Sequence, residues 1–282
     1  MTDDGRMVVD LAASDPTLPA DMLAFIRLGN MGLERARRAL AADGVRIPIE
    51  RLRILAPLPR PARNIFCVGK NYHEHAAEFH KSGFDASSAR DGSGVPAHPI
   101  IFTKAPSSVI GPGVAIPRDL DPTDSVDYEG ELAVVIGTGG RGIARADAFA
   151  HVYGYTIVND VTARALQKRH AQWLLGKSID GFCPMGPAIV TADSIGDVAA
   201  LHLVTRVNDE VRQDARVADL IFDIPDLIET ISRGITLEPG DVIATGTPVG
   251  VGIGFDPPRF LKQGDTVSIT IDPLGTLTNP VN

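Results

Sequence analysis

Short apolar runs, separated by breaks that contain Gly and Pro, fill the chain beyond Asn64. β-Branched runs bounded by turn residues predict strands, here at Ile65–Val68, Ile100–Phe102, Leu132–Ile136, Tyr155–Val158, Ala188–Val190, Leu203–Val207, Asp241–Ala244 and Thr266–Ile271. Helical periodicity interrupts them near Ala146–His151, Thr162–Gln167 and Asp226–Ser232. Because so few helices are available as crossovers, a regular βαβ array is disfavoured. We expect an α+β, β-rich fold, in which a mixed, mostly antiparallel sheet forms a roll or barrel with short flanking helices.

The first sixty residues follow a different pattern. Apolar side chains recur at helical spacing between Asp21 and Ala42, and the Pro-rich segment Ala56–Pro61 follows. This change predicts a small N-terminal unit over residues 1–60, ahead of a larger unit over residues 61–282.

Phe79–Pro99 is polar, rich in Gly and Ser, and without periodicity. A loop of about twenty residues inside a domain is usually a functional lid or a disordered segment. We favour a lid, because polar residues with catalytic potential precede it.

The chain has 282 residues and carries 27 Lys and Arg against 35 Asp and Glu, a net charge of −8. This balance attracts neither nucleic acid nor an anionic membrane, so a small-molecule site is the default expectation. No run reaches the roughly 20 apolar residues that span a bilayer, and Met1–Asp4 is acidic where a secretory signal is basic, so we expect a cytoplasmic protein. The two cysteines, Cys67 and Cys183, are too few for a disulfide framework or a Cys-based zinc site.

Three carboxylates alternate along the segment that leads into the strand at Leu132: Asp127, Glu129 and Glu131. Alternation places them on one face of an extended chain. At the mouth of a sheet such like charges call for a cation, and hard oxygen ligands suit Mg²⁺ or Mn²⁺. A solvated strand end explains the same residues equally well, so this segment alone leaves both interpretations open.

Asp160 ends the strand predicted at Tyr155–Val158 and precedes the helix predicted at Thr162. A carboxylate at a strand end is well placed as a metal ligand, and it is equally well placed as a helix N-cap. Three carboxylates plus waters would leave coordination positions open, which a catalytic metal needs.

His75 and Glu78 lie three positions apart after the strand that ends at Val68. If this segment is helical, the two side chains share a face, and Glu78 can orient His75 as a general base. A zinc site that includes His73 and Glu74 is a weaker alternative, since no further His or Cys stands at ligand spacing. A surface His–Glu pair is the third interpretation.

Two lysines each have two interpretations. Lys177 belongs to a Gly-Lys-Ser segment, but Ala171 occupies the position where a phosphate-binding loop needs its first Gly. Lys177 and Lys104 are therefore either solvated or cations that reach into the acidic site, where they balance charge or stabilise an enolate. The Gly-rich turn around Thr247 can offer hydroxyls and amides to an anionic ligand.

A nicotinamide-dependent oxidoreductase is the main rival class. Gly137–Gly142 matches the dinucleotide-binding pattern, and Asp160 follows it as a candidate ribose ligand. Against this, the preceding strand begins with charged residues, the next helix begins only near Ala146, and no second βαβ array follows. We interpret the glycines as a surface turn.

Taken together, these residues resemble the fumarylacetoacetate hydrolase family, in order along the chain from about Asn64 to its end. The matching segments are Gly69–Tyr72 with His75 and Glu78, Asp127–Leu132, Asn159–Arg164 with Gln167, Gly176–Ser178, and Thr245–Pro248. Linked segments are far more specific than any one of them.

The resemblance implies that residues 61–282 form a catalytic domain with the family's β-rich mixed roll, and that the protein is a homodimer. The site residues it implies are Glu129, Glu131 and Asp160 for Mg²⁺ or Mn²⁺, His75, Glu78 and Lys177 for catalysis, and Arg164, Gln167 and Thr247 for substrate. We add Lys104 to the substrate-binding set as a cation near the acids. Asp127 then lies behind the metal or in solvent.

The family cleaves carbon–carbon bonds in β-diketo acids such as acylpyruvates and fumarylacetoacetate, as in aromatic catabolism. We therefore expect a Mg²⁺- or Mn²⁺-dependent hydrolase that acts through an enolate, with His75 removing a proton from water. The alternative is an isomerase, tautomerase or decarboxylase of a related 2-oxo acid such as oxaloacetate, because family members also catalyse these reactions. A NAD-dependent oxidoreductase is a distant alternative.

Overall fold

The computed structural model describes residues 6–42, 44–84 and 94–282, so Met1–Asp4 lies outside it. In these ranges the α-helices are α1 (Leu11–Ser14), α2 (Met22–Arg27), α3 (Gly29–Ala41), α4 (His73–Lys81), α5 (Arg164–His170), α6 (Leu174–Lys177) and α7 (Ile224–Ser232). The strands are β1 (Met7–Val9), β2 (Arg46–Pro48), β3 (Ile65–Gly69), β4 (Ile100–Lys104), β5 (Val109–Ile110), β6 (Val126–Asp127), β7 (Gly130–Ile136), β8 (Val152–Asn159), β9 (Thr162–Ala163), β10 (Cys183–Thr191), β11 (His202–Val207), β12 (Glu210–Arg216), β13 (Val242–Ala244), β14 (Thr266–Ile271) and β15 (Gly275–Pro280).

A seven-stranded mixed sheet forms the centre of the fold, in the order β4-β3-β13-β7-β8-β10-β5. β3 runs parallel to β13 and β10 runs parallel to β5, whereas the other neighbours are antiparallel. The central strand β7 is buried at every position, because layers of structure cover both faces of the sheet. This architecture confirms the predicted α+β, β-rich class with a mixed, mostly antiparallel sheet.

Two apolar clusters hold those layers in place. On one face, Leu132 and Val134 of β7 pack with α7 and with a second, antiparallel sheet of order β12-β11-β14-β15. On the other face, Ala133 and Val135 pack with Ile26 of α2. Successive side chains point to opposite faces of a strand, so neighbouring residues of β7 serve different clusters.

The N-terminal segment packs on the central sheet. β1 and β2 form their own antiparallel pair, with α1, α2 and α3 between them in sequence. Phe25 and Ile26 share one apolar cluster with strand residues such as Ile65, so this segment does not have a separate core among the described residues. A domain boundary at residue 60 stays a prediction.

Two predicted helices differ in kind or extent from those observed. The helix expected near Ala146–His151 is a 3₁₀ helix at Arg145–His151. The helix expected from Thr162 begins instead at Arg164, because Thr162 and Ala163 pair with β6.

The loop predicted at Phe79–Pro99 begins later than expected, because α4 continues to Lys81. The lid prediction falls partly on residues 85–93, which lie outside the described residues. Among the described helices, none is long and apolar enough to cross a membrane.

Candidate active site

Two strand ends bring three carboxylates together. Glu131 lies in β7, Glu129 just before it, and Asp160 just after β8, the antiparallel neighbour of β7. The backbone amide of Asp160 donates to the carbonyl of Glu129 over 2.8 Å, which holds the two ends side by side. One oxygen of each carboxylate lies within 4.8 Å of the others, and all three residues are buried. The three predicted metal ligands therefore meet at one point.

The electrostatics of this triad are uneven. Burial, followed by the neighbouring charges of Asp160 and Glu129, raises the pKa of Glu131 well above its usual range. Burial opposes ionisation of Glu129 too, but Arg164 and Lys177 outweigh it and lower the pKa of Glu129. Glu131 is thus the carboxylate whose charge is least compensated by protein groups.

Mg²⁺ or Mn²⁺ fits this donor set. Both are hard cations that prefer carboxylate oxygens, and three such oxygens converge here. The raised pKa of Glu131 is what buried like charges produce, and a bound dication would reverse it. The residues that would hold the ion are Glu129, Glu131 and Asp160.

Two lysines contact the triad. Nζ of Lys177, on α6, lies 2.6 Å from Oε2 of Glu129 and 2.7 Å from Oδ2 of Asp160. Burial opposes the charge of Lys177, but Asp160 and Glu129 outweigh it and raise the pKa of the lysine. Lys177 therefore stays an ammonium group within the site.

Lys104 has a different place from the one predicted. Its Nζ lies 2.7 Å from Oδ1 of Asp160 and also donates to the carbonyls of Val161 and Lys177. The two carbonyls take two of the three ammonium protons, and the contact with Asp160 is an ion pair. Lys104 is fully buried and does not line the cavity described below, so the predicted substrate contact is replaced by support of Asp160.

Asp127 does not join the triad. Its Oδ1 accepts from the backbone amide of Gly252 over 2.6 Å, and its Oδ2 accepts from Nε of Arg164 over 2.9 Å and from the amide of Ile253 over 3.1 Å. The prediction that alternation places all three acids on one face is wrong. Asp127 ends β6 and Glu131 lies in β7, so the three residues do not belong to one continuous strand. Arg164 also places Nη2 2.6 Å from Oε1 of Glu129, so it links Asp127 to the triad.

A His–Glu pair faces the triad from α4. Nδ1 of His75 lies 3.0 Å from Oε2 of Glu78, whose Oε1 accepts from the amide of Gly250 over 3.0 Å. An ionised carboxylate only accepts hydrogen bonds, so in a neutral His75 the proton is on Nδ1 and the lone pair is on Nε2. His75 is buried, whereas His73 and Glu74 are exposed; this excludes the surface pair and the zinc site as interpretations.

One small cavity joins these groups. The predicted residues that line it are His75, Glu129, Glu131, Arg164, Gln167, Lys177 and Thr247. Asp160 and Glu78 lie directly behind this lining, in contact with Lys177 and His75. Asp160 is not the N-cap of α5, because Ala163 holds that position.

Sequence reasoning missed two residues. Lys70 lines the cavity, is 3% exposed, and has its Nζ 5.4 Å from the centre of the Phe79 ring. Its position directly after the buried strand β3 is a signal that could have identified it. Gln213 lies in β12 of the second sheet and donates to the Thr247 hydroxyl over 2.7 Å; no signal in its own segment predicts this.

The glycines at 137–142 do not form a dinucleotide site. Gly140 forms an isolated antiparallel β-bridge with Leu237. The next helical residue is Arg145, which begins a 3₁₀ helix. Asp160, the candidate ribose ligand, is held by lysines in the carboxylate triad.

The structure combines a buried carboxylate triad and a His–Glu pair with a mixed, β-rich fold. Sequence comparison identifies the class of protein to which this combination belongs. The model of the fumarylacetoacetate (FAA) hydrolase C-terminal family matches residues 64–282. The chain therefore belongs to the fumarylacetoacetate hydrolase family, as the resemblance implied, and it is an enzyme.

Three relatives give this assignment more detail. The chain is 46% identical to the oxaloacetate tautomerase YisK of Bacillus subtilis (strain 168) over 294 residues, covering 99% of this chain and 94% of that protein. It resembles the structure of a fumarylacetoacetate hydrolase from Exiguobacterium antarcticum, with a TM-score of 0.81, 42% identity, and coverage of 97% and 91% of the two chains. It also resembles maleylpyruvate hydrolase from Sphingobium sp. SYK-6 in complex with manganese(II) and pyruvate, with a TM-score of 0.78, 34% identity, and coverage of 98% and 93%.

Proposed function

We propose that this protein is a divalent-metal-dependent tautomerase that interconverts the keto and enol forms of an oxaloacetate-like 2-oxo dicarboxylate. The observation that carries this proposal is the placement of the His75 imidazole, oriented by Glu78, on the same cavity as the carboxylate triad. Similarity to the oxaloacetate tautomerase YisK over nearly the whole chain supports it. These observations support the tautomerase alternative better than the hydrolase that the sequence favoured.

The ion is proposed to be Mg²⁺ or Mn²⁺, held by Glu129, Glu131 and Asp160. When bound, it would supply Lewis acidity that polarises a carbonyl oxygen of the substrate. Manganese in the related maleylpyruvate hydrolase structure supports Mn²⁺ as one of the two candidates.

His75 is the proposed acid–base group. Its Nε2 carries a lone pair, because the hydrogen bond to Glu78 keeps the proton on Nδ1. In the keto-to-enol direction, Nε2 takes one proton from C3 of the substrate, and the resulting imidazolium gives that proton to the C2 oxygen, so His75 returns to its neutral form and the composition of the substrate does not change. The reverse direction returns a proton from His75 to C3. Glu78 stabilises the imidazolium that exists between these transfers.

Three cationic side chains on the cavity favour a substrate with two carboxylates. Lys70, Arg164 and Lys177 all line it. Arg164 and Lys177 already contact Glu129, and Lys70 lines the same cavity from its position directly after β3. We propose that Lys70 attracts the second carboxylate of the substrate.

Hydrolysis of a β-diketo acid is the second candidate. It would use the same residues, with His75 acting on water instead of on C3. Similarity to maleylpyruvate hydrolase is the observation that supports it. Decarboxylation of a 2-oxo acid would also require no residue beyond these.

The deciding experiment offers one enzyme preparation, loaded with Mg²⁺ or Mn²⁺, to several substrates. Ultraviolet absorbance of the enol follows tautomerisation of oxaloacetate, while chromatography follows pyruvate release from oxaloacetate and from acylpyruvates. We expect enol decay far above the rate with metal alone, and little pyruvate. Pyruvate release from acylpyruvates without faster enol decay would replace the tautomerase with the hydrolase.

The homodimer and the cytoplasmic location are also retained as proposals. Light scattering of the purified protein at several concentrations tests the first, and fractionation of the source cells tests the second.

A further inference from the structure

Gln213 reaches the site from the second sheet, at an irregularity in β12. It is 1% exposed and lies opposite Thr205 of β11. The next registered pair is Val211 with Arg206, so Arg212 is an extra residue without a partner in β11. Such bulges re-aim side chains and are common beside active sites. Here the bulge directly precedes Gln213, the one buried residue of β12.

The carboxamide of Gln213 makes three hydrogen bonds. Its Oε1 accepts from the amide of Gly130 over 3.0 Å, and its Nε2 donates to the Thr247 hydroxyl over 2.7 Å and to the carbonyl of Pro248 over 2.9 Å. A backbone amide only donates and a carbonyl only accepts, so the orientation of the carboxamide is fixed by chemistry. Gln213 therefore ties the residue between the two metal-binding glutamates to the turn that carries Thr247.

Close approach of the second sheet depends on Gly130. A Cβ atom at this position would lie 2.2 Å from Oγ1 of Thr205 and 3.2 Å from Oε1 of Gln213. The first distance is far below van der Waals contact, so any side chain at position 130 would force Thr205, or the strand that carries it, to shift. The missing side chain is what allows Gln213 to reach the backbone between Glu129 and Glu131.

This network sets the direction of the Thr247 hydroxyl. Thr247 accepts from Gln213 and donates its one proton to the carbonyl of Gly130 over 3.0 Å. A hydroxyl has one proton and two lone pairs, so one lone pair is left. Because Thr247 lines the cavity, it can offer a ligand an acceptor but not a donor.

We propose that Gln213 is a positioning residue of this site, which makes Thr247 a hydrogen-bond acceptor for a hydroxyl group on the ligand. The identity of that hydroxyl as the enol of a 2-oxo acid rests on the proposed function. The acceptor role itself does not, because it follows from hydrogen bonds within the protein.

The test compares two probes that differ in one hydroxyl, tartronate and malonate, both dicarboxylates. Calorimetry on the Mn²⁺-loaded enzyme measures their dissociation constants without turnover. We expect the wild-type enzyme to bind tartronate about tenfold more tightly, the size of one hydrogen bond in a buried site. Equal affinities for the two probes would overturn the acceptor role of Thr247.

Variants then locate the cause of that preference. Thr247→Val should abolish it, and Thr247→Ser should retain it. Gln213→Glu keeps the acceptor for the Gly130 amide and removes the donor to Thr247, so it should reduce the preference to about twofold or less. A preference unchanged in Gln213→Glu would overturn the positioning role.

A double-mutant cycle tests whether Gln213 acts through Thr247. Gln213→Met and Thr247→Val, combined, should lose no more preference for tartronate than Thr247→Val alone. Additive losses would contradict the proposal. If Gln213→Met does not fold, as judged by circular dichroism, Gln213→Glu takes its place in the cycle. Failure of the proposed tautomerase would show separately, as absent enol decay in the wild-type enzyme.

Discussion

The Glu78 carboxylate and the Gly250 amide hydrogen-bond over 3.0 Å and join the helix that carries His75 to the Gly-rich turn opposite. Glu78 uses its other oxygen for His75. One carboxylate therefore orients the proposed base and also fastens α4 over the cavity. Orientation of His75 should depend on this turn as well as on its own helix.

Gly254→Ala tests that dependence. A Cβ atom at Gly254 would lie 1.8 Å from Oε1 of Glu78, and a flexible carboxylate can escape such a clash only by rotating away. We expect a folded enzyme with turnover reduced about tenfold to a hundredfold and with unchanged metal affinity. Gly234→Ala is the matched control, because nothing lies within 4 Å of a Cβ atom there. Equal turnover in the two variants would show that the contact with the turn is dispensable.

Glu129→Gln addresses metal binding. The change removes a ligand charge and leaves Arg164 and Lys177 near the site, so their repulsion of a dication is no longer offset by this carboxylate. We expect affinity for Mn²⁺ to fall at least about 100-fold, since even residues that only support a ligand contribute up to that amount. Electron paramagnetic resonance on chelator-treated protein measures free Mn²⁺ directly. Glu74→Gln, on the exposed side of α4, should bind like the wild type.

His75→Ala separates proton transfer from metal binding. We expect turnover to fall about 100-fold or more, because a positioned general base contributes roughly that factor. Mn²⁺ affinity should stay within about twofold, since Nδ1 of His75 contacts Glu78 and the imidazole belongs to no ligand set in the triad. The matched control is His73→Ala, because His73 is an exposed histidine two positions earlier on the same helix. A rate that survives in His75→Ala would limit His75 to a structural role.

Lys70→Met tests the choice of a dicarboxylate. Loss of a buried ammonium group should raise the KM for oxaloacetate about tenfold or more, the size of one charge-assisted hydrogen bond. The dissociation constant of a monocarboxylate such as 2-oxobutyrate should change little. Lys81→Met, at the end of α4, is the control, because Lys81 does not line the cavity. If both ligands weakened equally, Lys70 would not be the group that recognises the second carboxylate.

Strands with several buried apolar residues could be predicted from the sequence, and a strand with no buried apolar residue could not. The strand Thr266–Ile271 has the predicted bounds, because every second residue faces the core. β12 was missed, because Glu210–Arg216 has a single buried residue, and that residue is Gln213. A glutamine in a polar segment indicates solvent unless the opposing sheet is known.

The same limit applies to the candidate site. The positions of Glu129 and His75 at the cavity could be predicted from spacing within one segment. Glu129 lies next to a strand end, and His75 shares a helical face with Glu78. Lys104 was assigned to the wrong side of Asp160, because a position along β4 does not say which side of a carboxylate the lysine contacts. The contact of Gln213 with Gly130 depends on how the two sheets pack together, and no pattern within its own segment predicts that packing.

The glycine between Glu129 and Glu131 has a consequence for protein engineering. The second sheet packs closely against Gly130. The segment Glu129–Glu131 therefore cannot be grafted onto an unrelated strand as a metal site that works by itself. A host scaffold would have to supply the neighbouring sheet, a glutamine on that sheet, and the space beside the glycine into which the glutamine packs. Designs that transplant the two glutamates alone should bind the ion loosely, as a flexible pair of acids at a strand end.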